Sequence, residues 1–179
     1  MGKPFYRSRF LEYLTQGVPL ADCYCWGKEV YAPFDGIIVK AEDGINERQS
    51  ANLFVDLRVM LKNASQFDPV RDGIQTVAGN YVVIEHENGL YAAFAHLQRG
   101  SIIVCSGQRV RKGQPIGRIG HSGNSTAPHL HFQLMDNDNM LIAKRIPCAF
   151  ERYDLFAKGE WNPAYDEVPT NKDRIRFVK

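Results

Sequence analysis

Short runs rich in Val, Ile, Tyr and Phe, each closed by Gly, Pro, Asn or Asp, govern what this chain can fold into. They are VYAPFDGIIVKAEDG (30–44), GNYVVIEHENGLYAAFAHL (79–97), SIIV (101–104), GQRVRKGQPIGRIG (107–120) and HLHFQLM (129–135). Segments of this length and composition, punctuated by turn residues, read as strands of an antiparallel sheet joined by tight turns. The expectation is an all-β fold, mainly antiparallel sheet, with tight turns. Asn88-Gly89, between YVVIE and LYAAF, supplies the positive-φ residues of a hairpin, and Asp35-Gly36 reads as another tight turn.

One segment departs from the strand rhythm. In NERQSANLFVDLRVMLKNASQF, residues Leu53, Phe54, Leu57, Met60 and Leu61 recur at steps of three and four, as on one face of a helix. A helical insertion over about 46–66 follows, read as a cover for the sheet, with a lid or a partner surface as the other roles such a helix takes. Three regions result: an N-terminal segment 1–26, a β domain 27–148 and a polar, irregular C-terminal extension 149–179 packing on the surface. With 179 residues, 44% of them hydrophobic, the chain has enough apolar material for one core.

A formal net charge of +2 without a Lys/Arg stripe points away from nucleic acid. No stretch is long and apolar enough for a membrane span. The first twenty residues show no apolar core followed by a cleavage site. Either the chain is cytoplasmic or its export signal lies elsewhere. The four cysteines, at 23, 25, 105 and 148, do not form a disulfide framework and read as buried thiols.

The chemistry-bearing feature is STAPHLHFQL (125–134). Side chains alternate across a strand, so His129, His131 and Gln133 share one face while Leu130, Phe132 and Leu134 hold the other in the core. Two imidazoles roughly 7 Å apart, twice the strand rise, can converge on one site. On spacing alone such a pair is more often structural. A Gly/Ser/Pro-rich loop, GHSGNSTAP, feeds into it, and His96 ends a separate strand in YAAFAHL. The two remaining histidines carry plainer readings: His86 as a residue stabilising its turn, His121 as a loop residue meeting solvent or substrate.

In order along the chain, VYAPFDGIIV, NYVVIEHENGLYAAFAHL and GQRVRKGQPIGRIGHSGNSTAPHLHFQL resemble the lysostaphin-like, LytM-type zinc metallopeptidases, over residues 27 to 135. That family cuts peptide cross-bridges in bacterial peptidoglycan. The resemblance implies an antiparallel β fold related to barrel-sandwich hybrids, a Zn2+ cofactor whose bound water attacks a peptide carbonyl, peptidoglycan peptide as the partner, and action in the cell envelope or outside the cell. Residue by residue, His131 matches the zinc-ligating histidine of the His-x-His motif, and His129 and His96 match the catalytic pair that positions water and stabilises the oxyanion.

The family's other ligands, a histidine and an aspartate upstream of the VYAP segment, have no full counterpart. No histidine precedes His86, and the carboxylates before Glu29 are Glu12 and Asp22. Three explanations stand: a start inside a longer enzyme, a replacement ligand among Glu12, Asp22, Cys23 and Cys25, or a degenerate relative that binds cell-wall peptide or a protein partner without cutting it. A fourth reading comes from another class. SGQRVRKGQPIGRIG also fits the turn pattern of biotinyl and lipoyl carrier domains, but Lys112 lies within the turn pattern rather than at an exposed modification hairpin.

Overall fold

The computed structural model describes residue 6, residues 9–170 and residues 172–177, so part of the N-terminal segment, residues 1–5 and 7–8, lies outside the described residues. Along the chain run α1 (Phe10–Leu14), β1 (Val18–Pro19), a 3-10 turn (Leu20–Asp22), β2 (Glu29–Tyr31), β3 (Gly36–Glu42) and β4 (Ser50–Ala51). Three helices follow, α2 (Leu53–Gln66), α3 (Pro69–Asp72) and α4 (Gln75–Ala78). Then come β5 (Asn80–Glu85), β6 (Tyr91–Leu97), β7 (Arg109–Val110), β8 (Pro115–Arg118), β9 (His131–Met135) and β10 (Arg145–Ile146). The chain closes with β11 (Phe150–Ala157), β12 (Glu160–Glu167) and β13 (Ile175–Arg176). It divides into two compact units, Pro4–Arg145 and Ile146–Lys179.

The first unit is organised by a six-stranded sheet in the order β10-β9-β6-β5-β3-β7. The pairings β3–β7, β3–β5, β5–β6 and β6–β9 are all antiparallel. Both faces of its centre are covered. Val82, Ile84, Ala92 and Phe94 join Ile38, Val110 and Ile116 in one core cluster, while Tyr81, Val83, Ala93 and Ala95 join Met135 in another. Strict alternation between two buried faces explains why residues 81–84 and 91–95 read as continuous apolar runs. A third cluster holds the N-terminal segment: Tyr6, Val18, Leu20 and Cys23 pack with Ala51, where β1 pairs with β4.

Four local readings need correction. SIIV (101–104) is not a strand of a sheet, although Ile103 N donates to Ile116 O at 3.2 Å. At the β5–β6 hairpin Gly89 takes φ 78° and Asn88 does not adopt a positive φ, so glycine alone supplies the left-handed position. Of the cysteines only Cys23 is buried; Cys25 is half-buried, and Cys105 and Cys148 are exposed. Beyond residue 148 the chain is regular rather than irregular: β11 and β12 form a hairpin, extended by β13 into a three-stranded antiparallel sheet.

The insertion is helical, as its periodicity predicts, but its apolar face does not cover the sheet. Leu53, Phe54, Leu57 and Leu61 are all exposed, Phe54 at 63%. What α2 buries is a carboxylate, Asp56, at 1% exposure. The physical reason lies at the start of the helix. Asn52 caps it by accepting from Phe54 N and Val55 N, and its Nδ2 donates to Thr15 O, which anchors the first turn against the N-terminal segment with the Asp56 face inward.

Candidate functional site

β9 begins at His131, so His129 and Leu130 precede the strand, at the end of the Gly/Ser/Pro loop. Pairing with β6 places His131 opposite Ala95, Gln133 opposite Ala93 and Phe132 opposite Phe94. Leu130 and Leu134 pack against the core cluster that contains Phe94, and the Phe94 and Phe132 rings meet at 5.2 Å. The apolar side of the strand thus anchors it, and His131 and Gln133 take the opposite side, as alternation predicts.

Alternation alone would send His96 to the face of Phe94, away from His131. The backbone prevents this. On β5 two steps separate Val82 from Asn80, while on β6 their partners Phe94 and Leu97 are three steps apart. The extra residue is a β-bulge, and within it His96 adopts φ 60°. Bulges re-aim side chains, and in one class of them a residue of the bulged strand takes the left-handed conformation. The result is a meeting of three imidazoles: the His96 ring lies 4.9 Å from that of His129 and 5.9 Å from that of His131, edge-on to the latter.

Hydrogen bonds fix the chemistry of two of these rings. His96 Nδ1 lies 2.9 Å from Ser122 O, and His129 Nδ1 lies 2.7 Å from Ala127 O. A carbonyl oxygen only accepts, so in each neutral ring Nδ1 carries the hydrogen and Nε2 is the basic nitrogen. His131 differs, its Nε2 meeting Gln133 Oε1 at 3.1 Å. His96 is buried, and burial, then the His129 ring beside it, pushes its pKa down to about 4. It is neutral at physiological pH. His129 and His131 are exposed. The site therefore has one sheltered imidazole behind two that meet solvent.

The loop carrying His129 is seated by crossing backbones. Gly79 and Gly123 both take positive φ, 66° and 64°. A Cβ on Gly79 would stand 2.8 Å from Gly123 N, and one on Gly123 would stand 2.3 Å from Gly79 N. Between them Ser122 Oγ donates to Leu97 O at 2.8 Å and accepts from Asn80 N at 3.0 Å, closing the bulged end of β6.

His121 is not a solvent-facing loop residue. It is fully buried, with Nδ1 at 3.0 Å from Ser125 Oγ and Nε2 at 3.3 Å from Asp56 Oδ1. Burial of this polar group depends on partners far along the chain, which local sequence does not reveal. His86 fits its turn-stabilising reading: it is half-buried and its Nδ1 accepts from Asn88 N at 3.2 Å.

Catalytic zinc takes three protein donors and keeps a fourth position open. The residues present do not supply them: among the described residues no three His, Cys, Asp or Glu side chains are grouped to hold a metal. Each replacement considered for the missing ligands is engaged elsewhere. Asp22 is bonded to Arg9, and Glu12 pairs with the same guanidinium at 3.1 Å. Cys23 is buried, and burial pushes its thiol up to about 11. Cys25, also raised by burial, donates its thiol hydrogen to Pro128 O at 2.9 Å. Neither thiol is a ready thiolate.

Residues 15–142, a span that includes all three histidines and the 3-10 turn, match Peptidase family M23. The peptidoglycan DD-endopeptidase ShyC of Vibrio cholerae is 34% identical over 111 residues, covering 62% of this chain and 20% of the relative. ShyA of the same organism is 48% identical over 58 residues, 32% of this chain and 13% of the relative. The chain thus spans a fifth or less of the length of these two curated relatives. Among solved structures, the catalytic domain of lysostaphin from Staphylococcus simulans is 21% identical, covering 81% of this chain and 85% of that one, with a TM-score of 0.44. With its antiparallel sheet, its His-x-His motif and a family match over most of its length, the chain belongs to Peptidase family M23.

Proposed function

We propose that this chain acts on the peptide part of peptidoglycan, in the cell envelope, hydrolysing a peptide bond at the surface where His96, His129 and His131 meet. The convergence of the three imidazoles carries the reading: a β-bulge and a left-handed residue bring His96 to the other two, against the alternation of its own strand. The matched relatives named as peptidoglycan DD-endopeptidases support the substrate class.

In this reading His129, exposed and with a basic Nε2, takes the proton of an attacking water and returns it to the leaving amine. His96, held neutral by burial, orients the water through its own Nε2. His131 is the position the family assigns to zinc. A zinc-dependent reaction needs two donors beyond those the described residues bring to it, so no step is written through the metal.

The test is incubation of the purified chain with cross-linked muropeptides, as isolated, with added Zn2+ and with chelator, the products read by mass spectrometry. New peptide ends that diminish by about 100-fold or more in His129→Ala, the lower range for losing a general acid–base group, support hydrolysis. Binding of the same peptides without cleavage under all three conditions would overturn it and leave a recognition domain, the degenerate relative. Cleavage only with added Zn2+ would support hydrolysis and require further metal donors.

A further inference from the structure

A line of polar groups runs from the helical insertion to one of the three imidazoles, that of His129. Arg48 Nε donates to Asp56 Oδ1 at 2.7 Å, and Arg48 also donates to the carbonyls of Gly123, at 3.1 Å, and Ser125. Asp56 Oδ2 accepts from Asn52 N at 3.0 Å. His121 Nε2 lies 3.3 Å from both Asp56 Oδ1 and Arg48 Nη2, and its Nδ1 lies 3.0 Å from Ser125 Oγ. Ser125 Oγ in turn lies 2.7 Å from Ala127 O and 3.3 Å from His129 Nδ1. Asp56, His121 and Ser125 are each at most 1% exposed.

Burying a carboxylate, an imidazole and a hydroxyl is costly unless every group is paired, and a well-packed apolar cluster would hold a loop at least as firmly. What an apolar cluster could not do is add a side-chain acceptor for a histidine and tether the backbone carbonyl beside it. His129 Nδ1–H has two acceptors, Ser125 Oγ and Ala127 O, and both are set by this network. Arg48 and His121 position Ser125, and Ser125 Oγ–H reaches Ala127 O. The insertion therefore contributes through its buried carboxylate rather than through its leucines.

We propose that His121 is a positioning residue for His129. Through Ser125, and backed by Asp56 and Arg48, it fixes the tautomer and orientation of the imidazole that acts on the peptide bond. The inference rests on the proposed hydrolysis for its kinetic consequence, though not for its structural one.

Two measurements on the full chain test it. In ring 15N spectra, wild-type His129 is expected as the Nδ1–H tautomer, shifting to a mixture in His121→Ala and Ser125→Ala. With cross-linked muropeptides, both variants are expected to lose about 10- to 100-fold in kcat, the range for removing a group that orients a site imidazole, with KM little changed. His121→Asn, whose amide can still bridge to Ser125, is expected to recover part of the loss.

An unchanged His129 tautomer in folded His121→Ala and Ser125→Ala would overturn the proposal, as would unchanged kcat. If His121→Ala does not fold, Ser125→Ala alone decides, since it removes only one oxygen. If the wild type cleaves nothing, the hydrolytic reading fails while the His129 spectra still decide this one.

Discussion

His96 holds a backbone conformation, φ 60°, that costs a non-glycine residue on the order of 1 kcal/mol or more. It persists because the bulge is clamped from outside: Gly120 N donates to His96 O at 2.9 Å, and Ser122 O receives His96 Nδ1. The same enclosure lowers the pKa of the ring to about 4, against about 6.5 when the chain is unfolded. For a base with a depressed folded-state pKa, stability is complete above the unfolded value and is lost as pH falls through the folded one. Stability from this residue is therefore expected to decline between about pH 6.5 and pH 4, read by denaturant titration, and His96→Gln should flatten that slope. At this scale simple alternation shows the side of the strand that His131 takes, while His129 stands just before the strand. The sequence conceals the meeting with His96, because alternation predicts the wrong face and a one-residue bulge reverses it. It conceals His121 more completely, since the partner that makes its burial tolerable, Asp56, lies 65 residues away.

Among the elements, α2 separates what periodicity can show from what it cannot. Steps of three and four announce a helix with an apolar stripe, but only the neighbours decide whether that stripe is covered. Here the capping contacts of Asn52 turn the Asp56 side inward and leave Leu57 and Leu61 exposed. Leu61→Glu is accordingly expected to change stability by no more than about 0.5 kcal/mol, as surface substitutions do, whereas Asn52→Ala should cost about 1–2 kcal/mol for the lost cap. Thermal melts of the two variants rank them directly. The central strands behave in the opposite way. Ile84 in β5 is fully buried between β3 and β6, and Ile84→Ala is expected to cost about 2–5 kcal/mol, the range for a core truncation.

Across the whole molecule, burial is unevenly shared. The Pro4–Arg145 unit holds all three apolar clusters, while in Ile146–Lys179 the buried residues among those described are Tyr153, Asp154 and Ala164. A three-stranded sheet with so small an interior opens more readily. Amides of β11 and β12 are therefore expected to exchange with deuterium well before those of β5 and β6, and equal protection in hydrogen-exchange mass spectrometry would contradict the division. The regularity of this unit escapes sequence reading because its strands carry many polar and charged residues on their exposed positions. Metal content is also a property of the whole chain. Because the described donors do not group around His131, protein purified without added zinc is expected to carry well below one equivalent by elemental analysis. The crossing of Gly79 over Gly123 has a further consequence for any survey of tolerated substitutions. Neither residue bears a functional group, yet a single methyl at either would wedge the histidine-bearing turn off the sheet, so two chemically silent positions should prove as intolerant of change as the imidazoles themselves.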